Sequence, residues 1–143
     1  VVIAGMGGPL IIRILSAYPE VTASLKELIL QPQSEIPEVR MWLYEQGYEI
    51  VEEHMVFEDG KYYPMFKAVK NSQAEKLTDL EYKFGKLSVL EEKSVLKAYL
   101  VREIANKQTI LKKLNEENTE KSRNRIEQIA AILTELEGML NEV

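Results

Sequence analysis

The residues of this chain that could do chemistry fall into short groups. Ala4-Gly5-Met6-Gly7-Gly8-Pro9 joins an apolar run to a helical pattern. Glycines at such a junction let a ligand approach the backbone while free helical N–H groups face it. Gly5-x-Gly7-Gly8 is not the dinucleotide fingerprint and no phosphate-loop lysine follows, so a phosphate cradle is disfavoured. The bland alternative is a tight strand-to-helix turn. Gln31-Pro32-Gln33 ends a second apolar run, where the amides could hydrogen-bond a base edge or the Gln-Pro pair could simply turn the chain. Glu52-Glu53-His54 invites a metal or acid–base reading, but neighbours on a strand alternate sides and cannot all converge, so a solvated edge is expected. Lys93, Lys97, Arg102, Lys107, Lys112 and Lys113 oppose only Glu103, a local positive excess that could neutralise RNA phosphates or merely solvate a helix exterior.

Composition removes other chemistries. With 0 cysteines the chain has no disulfide, no thiolate metal site and no thiol nucleophile, a composition typical of the cytosol, and a cytoplasmic location is expected. The single histidine, His54, excludes a multi-histidine metal site. The net charge of -5 argues against bulk electrostatic binding of nucleic acid. Most of that excess lies in residues 1–70; the second half is nearly balanced. No apolar run approaches the roughly 20 residues of a membrane span, so neither membrane nor metal is expected as a partner.

These groups must be positioned by two kinds of structure. Val1 to Ala4 reads as a strand, Gly5 to Gly8 as a turn, and Pro9 as the first position of a helix closed by Tyr18-Pro19. Glu27 to Leu30 reads as a strand ended by Gln31-Pro32, and Glu38 to Gln46 as a helix with Val39, Trp42 and Leu43 on its core face. Strand–helix alternation argues for a parallel sheet covered by helices. Tyr48 to Glu58 and Lys61 to Val69 then form an antiparallel pair about Asp59-Gly60. Residues 71–87 read as a linker and 88–143 as a helical hairpin. Leu96, Leu100, Ile104, Leu111 and Leu114 stripe its first helix; Ile126, Ile129, Leu133, Leu136 and Leu140 form a heptad seam on the second. Asn115 to Ser122 connects them, with Asn118 or Thr119 as an N-cap.

Val2-Ile3-Ala4-Gly5-Met6-Gly7-Gly8, Leu28-Ile29-Leu30-Gln31-Pro32, Trp42-Leu43 with Gly47-Tyr48, and Glu58-Asp59-Gly60-Lys61-Tyr62-Tyr63 resemble, in order, the landmarks of the bacterial tRNA (adenine-22, N1)-methyltransferases. The resemblance covers residues 1 to about 70, and a helical tail fits it as well. It departs at Phe84-Gly85-Lys86, where the family usually has Phe-Gly-Pro, and at Gln33, where asparagine is frequent. The resemblance implies an α/β fold: the second half of a class I, Rossmann-like methyltransferase sheet over residues 1–70, followed by a coiled-coil hairpin. It implies S-adenosylmethionine as cofactor and tRNA as substrate. The loop that would hold the methionine end of the cofactor, and the acidic residue that would bind its ribose, match nothing here.

On that resemblance Gly5, Met6, Gly7 and Gly8 are the expected catalytic loop, with Ala4, Gly5 and Met6 touching the cofactor. Backbone groups there would orient the adenine so that N1 attacks the sulfonium methyl in line. Gln31, Pro32, Gln33, Lys93, Lys97, Arg102 and Lys107 are the expected tRNA contacts. Tyr62 and Tyr63 are expected to pack in the sheet rather than stack on RNA. The chain is expected to be a carboxyl-terminal portion that does not methylate alone. Its first strand would then keep an unpaired apolar edge, giving low solubility; that edge and the coiled coil are the two routes open to self-association. The competing reading is a noncatalytic module whose hairpin pairs with a partner protein.

Overall fold

A computed structural model describes all 143 residues. The elements are β1 (Val2–Met6), α1 (Gly8–Ala17), α2 (Pro19–Ser24), β2 (Glu27–Pro32), α3 (Ile36–Glu45), β3 (Tyr48–Glu58), β4 (Lys61–Lys70), α4 (Asp79–Phe84), a 3₁₀ turn over Leu87–Val89, α5 (Lys93–Glu117) and α6 (Glu120–Glu142). They form two compact units, Val1–Glu92 and Lys93–Val143. An α/β sheet followed by a helical hairpin is the expected architecture.

In the first unit the strand order is β1-β2-β4-β3, with β1 and β2 parallel and β4 antiparallel to both its neighbours. Asp59 and Gly60 make the hairpin turn with φ of 50° and 76°, the left-handed pair that a tight turn between twisted strands demands. Helices α1 and α3 cover one face. Ile11, Leu15, Val39 and Leu43 bury themselves against Ile3, Leu28, Leu30, Phe66 and Ala68. Truncating any one of these large aliphatics to alanine would cost about 2–5 kcal/mol, so this layer fixes where the ends of β1 and β2 stand. Trp42, expected in the core, is only half-buried at its margin. Tyr18-Pro19, expected to end a helix, separates two: proline lacks an N–H but is tolerated in a first turn, so α2 starts on Pro19. Strand β1 pairs only with β2, and Val2 on it is 69% exposed.

Residues 71–87, expected as a linker, contain α4, and the first unit continues to Glu92. A capping box starts α4: the Thr78 hydroxyl accepts the Glu81 N–H at 3.2 Å and the Glu81 carboxylate accepts the Thr78 N–H at 3.0 Å. In the second unit the first long helix begins at Lys93, not Ser88, which lies in the 3₁₀ turn. Helix runs through most of the expected Asn115–Ser122 connection and leaves Asn118, at φ 49°, and Thr119 between the helices. Thr119 caps α6 by accepting the Ser122 N–H at 3.0 Å. Leu96 and Leu100 on α5, and Ile129, Leu133, Leu136 and Met139 on α6, are buried; Met139 is more deeply covered than the expected Leu140. No helix is long and apolar enough to cross a membrane.

Candidate functional site

Parallel pairing of β1 with β2 places their carboxyl ends on one rim of the sheet. Ala4 lies beside Gln31 and Met6 beside Pro32, with an irregularity between Ala4 and Met6 that leaves Gly5 unpaired. Gly5 and Met6, expected in a turn, are thus the last residues of β1, and Gln31-Pro32 completes β2. Gly5 has φ 74° and is exposed, and a Cβ built on it would meet nothing within 4 Å. Backbone at this point is open to an incoming group.

The two loops beyond the strands are tied to each other. The Gln33 N–H donates to the Met6 carbonyl at 2.8 Å, and the Gly8 N–H donates to the Ser34 carbonyl at 3.0 Å and to its hydroxyl at 3.3 Å. A Cβ on Gly7 would lie 2.9 Å from Ser34 Oγ, and one on Gly8 would run into the Ser34 carbonyl and lie 2.9 Å from the Glu35 carbonyl and from Val39 Cγ2. The glycines therefore divide their work: Gly5 leaves space open, while Gly7 and Gly8 let two loops meet. The expectation of free N–H groups at the start of α1 needs correction, because Ser34 takes that of Gly8 and Pro9 has none. Ser34 carries no mark in the sequence: its partner lies 26 residues away and no local pattern links them.

Of the other expected contacts, Pro32 is buried, Gln31 half-buried and Gln33 exposed on this rim. Lys93, Lys97, Arg102 and Lys107 stand on α5 in the second unit. The first three are exposed; Lys107 is half-buried and 3.7 Å from the Glu103 carboxylate. Tyr62 and Tyr63 are half-buried on β4.

Glu52-Glu53-His54 departs from the expected solvated edge. A register shift between Ile50 and Glu52 inserts one extra residue in β3, so the inward set changes from Tyr48 and Ile50 to Glu53 and Met55. Glu53, 1% exposed, pairs with the equally buried Arg40 of α3. Burial pushes its carboxyl above the ordinary range, with the Arg40 guanidinium opposing the shift. The neighbouring His54 faces outward between Glu92, 2.8 Å from Nδ1, and Glu52, 2.9 Å from Nε2. Hydrogen bonds first to Glu92 and then to Glu52 raise its pKa above 6.5. A raised folded-state pKa means stabilisation complete below the unfolded value and lost as pH rises through the folded one. Thermal denaturation from pH 6 to 9 should show that decline, and His54→Gln should flatten it; an unchanged profile would mean the two contacts contribute nothing.

A family model described as tRNA (adenine(22)-N(1))-methyltransferase matches residues 1–135. The tRNA (adenine(22)-N(1))-methyltransferase of Bacillus subtilis is 28% identical over 135 residues, which are 91% of this chain and 57% of that protein. The crystal structure of the B. subtilis m1A22 tRNA methyltransferase aligns with a TM-score of 0.75 at 26% identity, over 97% of this chain and 62% of that one. A Streptococcus pneumoniae protein in complex with S-adenosyl-L-methionine aligns at 0.72 and 27% identity, over 97% of this chain and 58% of that one. The chain thus spans between 57% and 62% of the length of these relatives. A match that begins in β1 and runs through most of α6 leaves one assignment: the chain belongs to the tRNA (adenine(22)-N(1))-methyltransferase family.

Proposed function

We propose that the chain is the carboxyl-terminal portion of an enzyme that uses S-adenosylmethionine to methylate N1 of adenine 22 in tRNA. The observation that carries this reading is the rim where Gly5 exposes backbone beside two loops locked together by Ser34 and Gln33. The open space at Gly5 fits one wall of a cofactor pocket, with Ala4, Gly5 and Met6 as its lining from this chain. Bound there, the cofactor would supply an electrophilic methyl group on a sulfonium. Adenine N1 is already a lone-pair nucleophile, so what the loop of Gly5 to Gly8 contributes is position: backbone groups held by the Gly8–Ser34 and Met6–Gln33 bonds hold the base in line. Gln31 and Gln33 lie on the same rim, where an amide can read a base edge. Lys93, Lys97, Arg102 and Lys107 would meet tRNA phosphates from α5, giving binding that weakens with salt.

The test uses the complete protein with labelled cofactor and a tRNA transcript carrying adenine at position 22. N1-methyladenosine at that position is expected, and none from residues 1–143 alone. Cofactor binding without methylation of tRNA, or a methyl group placed elsewhere, would overturn the reading.

A further inference from the structure

The β3–β4 hairpin does not stop at the rim. Continuing the β2–β4 register from Leu30 opposite Phe66 sets Pro64 level with Pro32, the last residue of β2. Tyr62 and its cross-strand partner Phe57 therefore stand two residues, about 7 Å, above the rim. There the two rings touch, with centroids 4.7 Å and planes 41° apart. Phe57 is nonetheless 55% exposed. Below it Met55 and Pro64 are buried, and above it Glu58 pairs with Lys61 before the Asp59-Gly60 turn, so the ring is presented to solvent from paired strand backbone.

We propose that Phe57, backed by Tyr62, is a stacking platform for an unpaired base of the RNA substrate that flanks the target adenine. The proposal rests on the methyl-transfer reading above. It is a flanking base because β3 lies three strand spacings from β1, about 14 Å across the sheet from Gly5. It is a base rather than an apolar protein surface because Phe57 does not sit in an apolar patch: Glu58, Asp59 and Lys61 around it are exposed and charged. One isolated planar face suits one planar partner, and stacking on aromatic rings is tolerant of which base it meets. Glu58 and Asp59 outweigh Lys61, the cross-strand partner of Glu58, so no net positive charge draws a phosphate here and the contact adds affinity without adding salt dependence.

The experiment measures methyl transfer by the complete protein over a range of tRNA concentrations. Phe57→Ala should raise KM for tRNA by about 10- to 100-fold. Cofactor affinity and the slope of log affinity against log salt should stay as in the parent, and Phe57→Trp should restore KM. Phe57→Leu keeps apolar bulk without a ring face and should share the loss, which covers the case in which alanine loosens the hairpin. A kcat/KM within twofold of the parent for Phe57→Leu or Phe57→Ala would overturn the platform while leaving the methyltransferase reading intact. Parent protein that binds cofactor and methylates no tRNA would overturn both.

Discussion

Glu53→Gln lowers the stability of the sheet unit by about 3–5 kcal/mol, the usual consequence of removing one member of a buried ion pair. The cost is high because Arg40 cannot release its proton and would be left charged at 1% exposure. The pair also fastens separate parts of the chain. Arg40 Nη1 donates to the Tyr82 carbonyl of α4 at 2.7 Å, the guanidinium lies 5.4 Å from the Phe66 ring centroid, and the Glu53 carbonyl accepts the Glu91 N–H at 2.9 Å. Gly85 makes room for the carboxylate: at φ 92° its absent Cβ would fall 2.8 Å from Glu53 Oε2. That atom and Arg40 Nε have no hydrogen-bond partner, so the pair is not fully compensated and its value lies in breaking only one half. Arg40→Leu should therefore be milder, because Glu53 can take up a proton. Its deficit should be smallest in acid and grow as pH rises through the raised carboxyl pKa. Urea unfolding of the single variants and of Arg40→Leu/Glu53→Leu tests this: a double variant no more stable than Glu53→Gln would refute the asymmetry.

That pair also shows where the sequence stops being readable. Strand and helix order was legible because apolar period and turn residues are local, as at Asp59-Gly60 and at Pro9. The inward turn of Glu53 was not, because one inserted residue near Val51 flips the parity of everything after it. The bulge is supported from a distance: the Ile50 N–H donates to the Tyr44 hydroxyl at 3.2 Å. Helix α4 did leave a local mark, Thr78-Asp79-Leu80-Glu81, a capping-box spacing that polar composition disguised as linker. In the rim, the glycines of residues 5–8 were visible as a cluster, but their separate duties were not. Gly7 and Gly8 are small because of Ser34, Glu35 and Val39, which only the packing of α1 and α3 on the sheet brings near.

Gly7→Val in the complete protein should reduce methyl transfer at least 100-fold without unfolding it. The backbone at Gly7, with φ -62° and ψ 149°, suits any residue, so the substitution brings no torsional strain there. What it brings is a branched side chain whose Cβ starts 2.9 Å from Ser34 Oγ. A lone Cβ is met by rotation of the serine hydroxyl, but the two Cγ methyls of valine reach further, and room for them requires the first loop to move off the second, loosening the Gly8 N–H bonds to Ser34 that fix the lip of the rim. Displacement of reacting groups by about 1 Å is enough for a loss of that size when position is the main contribution. Gly7→Ala should be mild, because the serine hydroxyl can rotate away. Adding Ser34→Ala to Gly7→Val should recover part of the rate, since it removes the atom in conflict. Gly8→Ala, by contrast, runs into the backbone carbonyl of Ser34 and lies 2.9 Å from that of Glu35, cannot be rescued through Ser34's side chain, and should lower thermal stability as well. Steady-state rates beside melting curves separate these cases. A Gly7→Val variant as fast as the parent would mean that the bend does not position the reacting base.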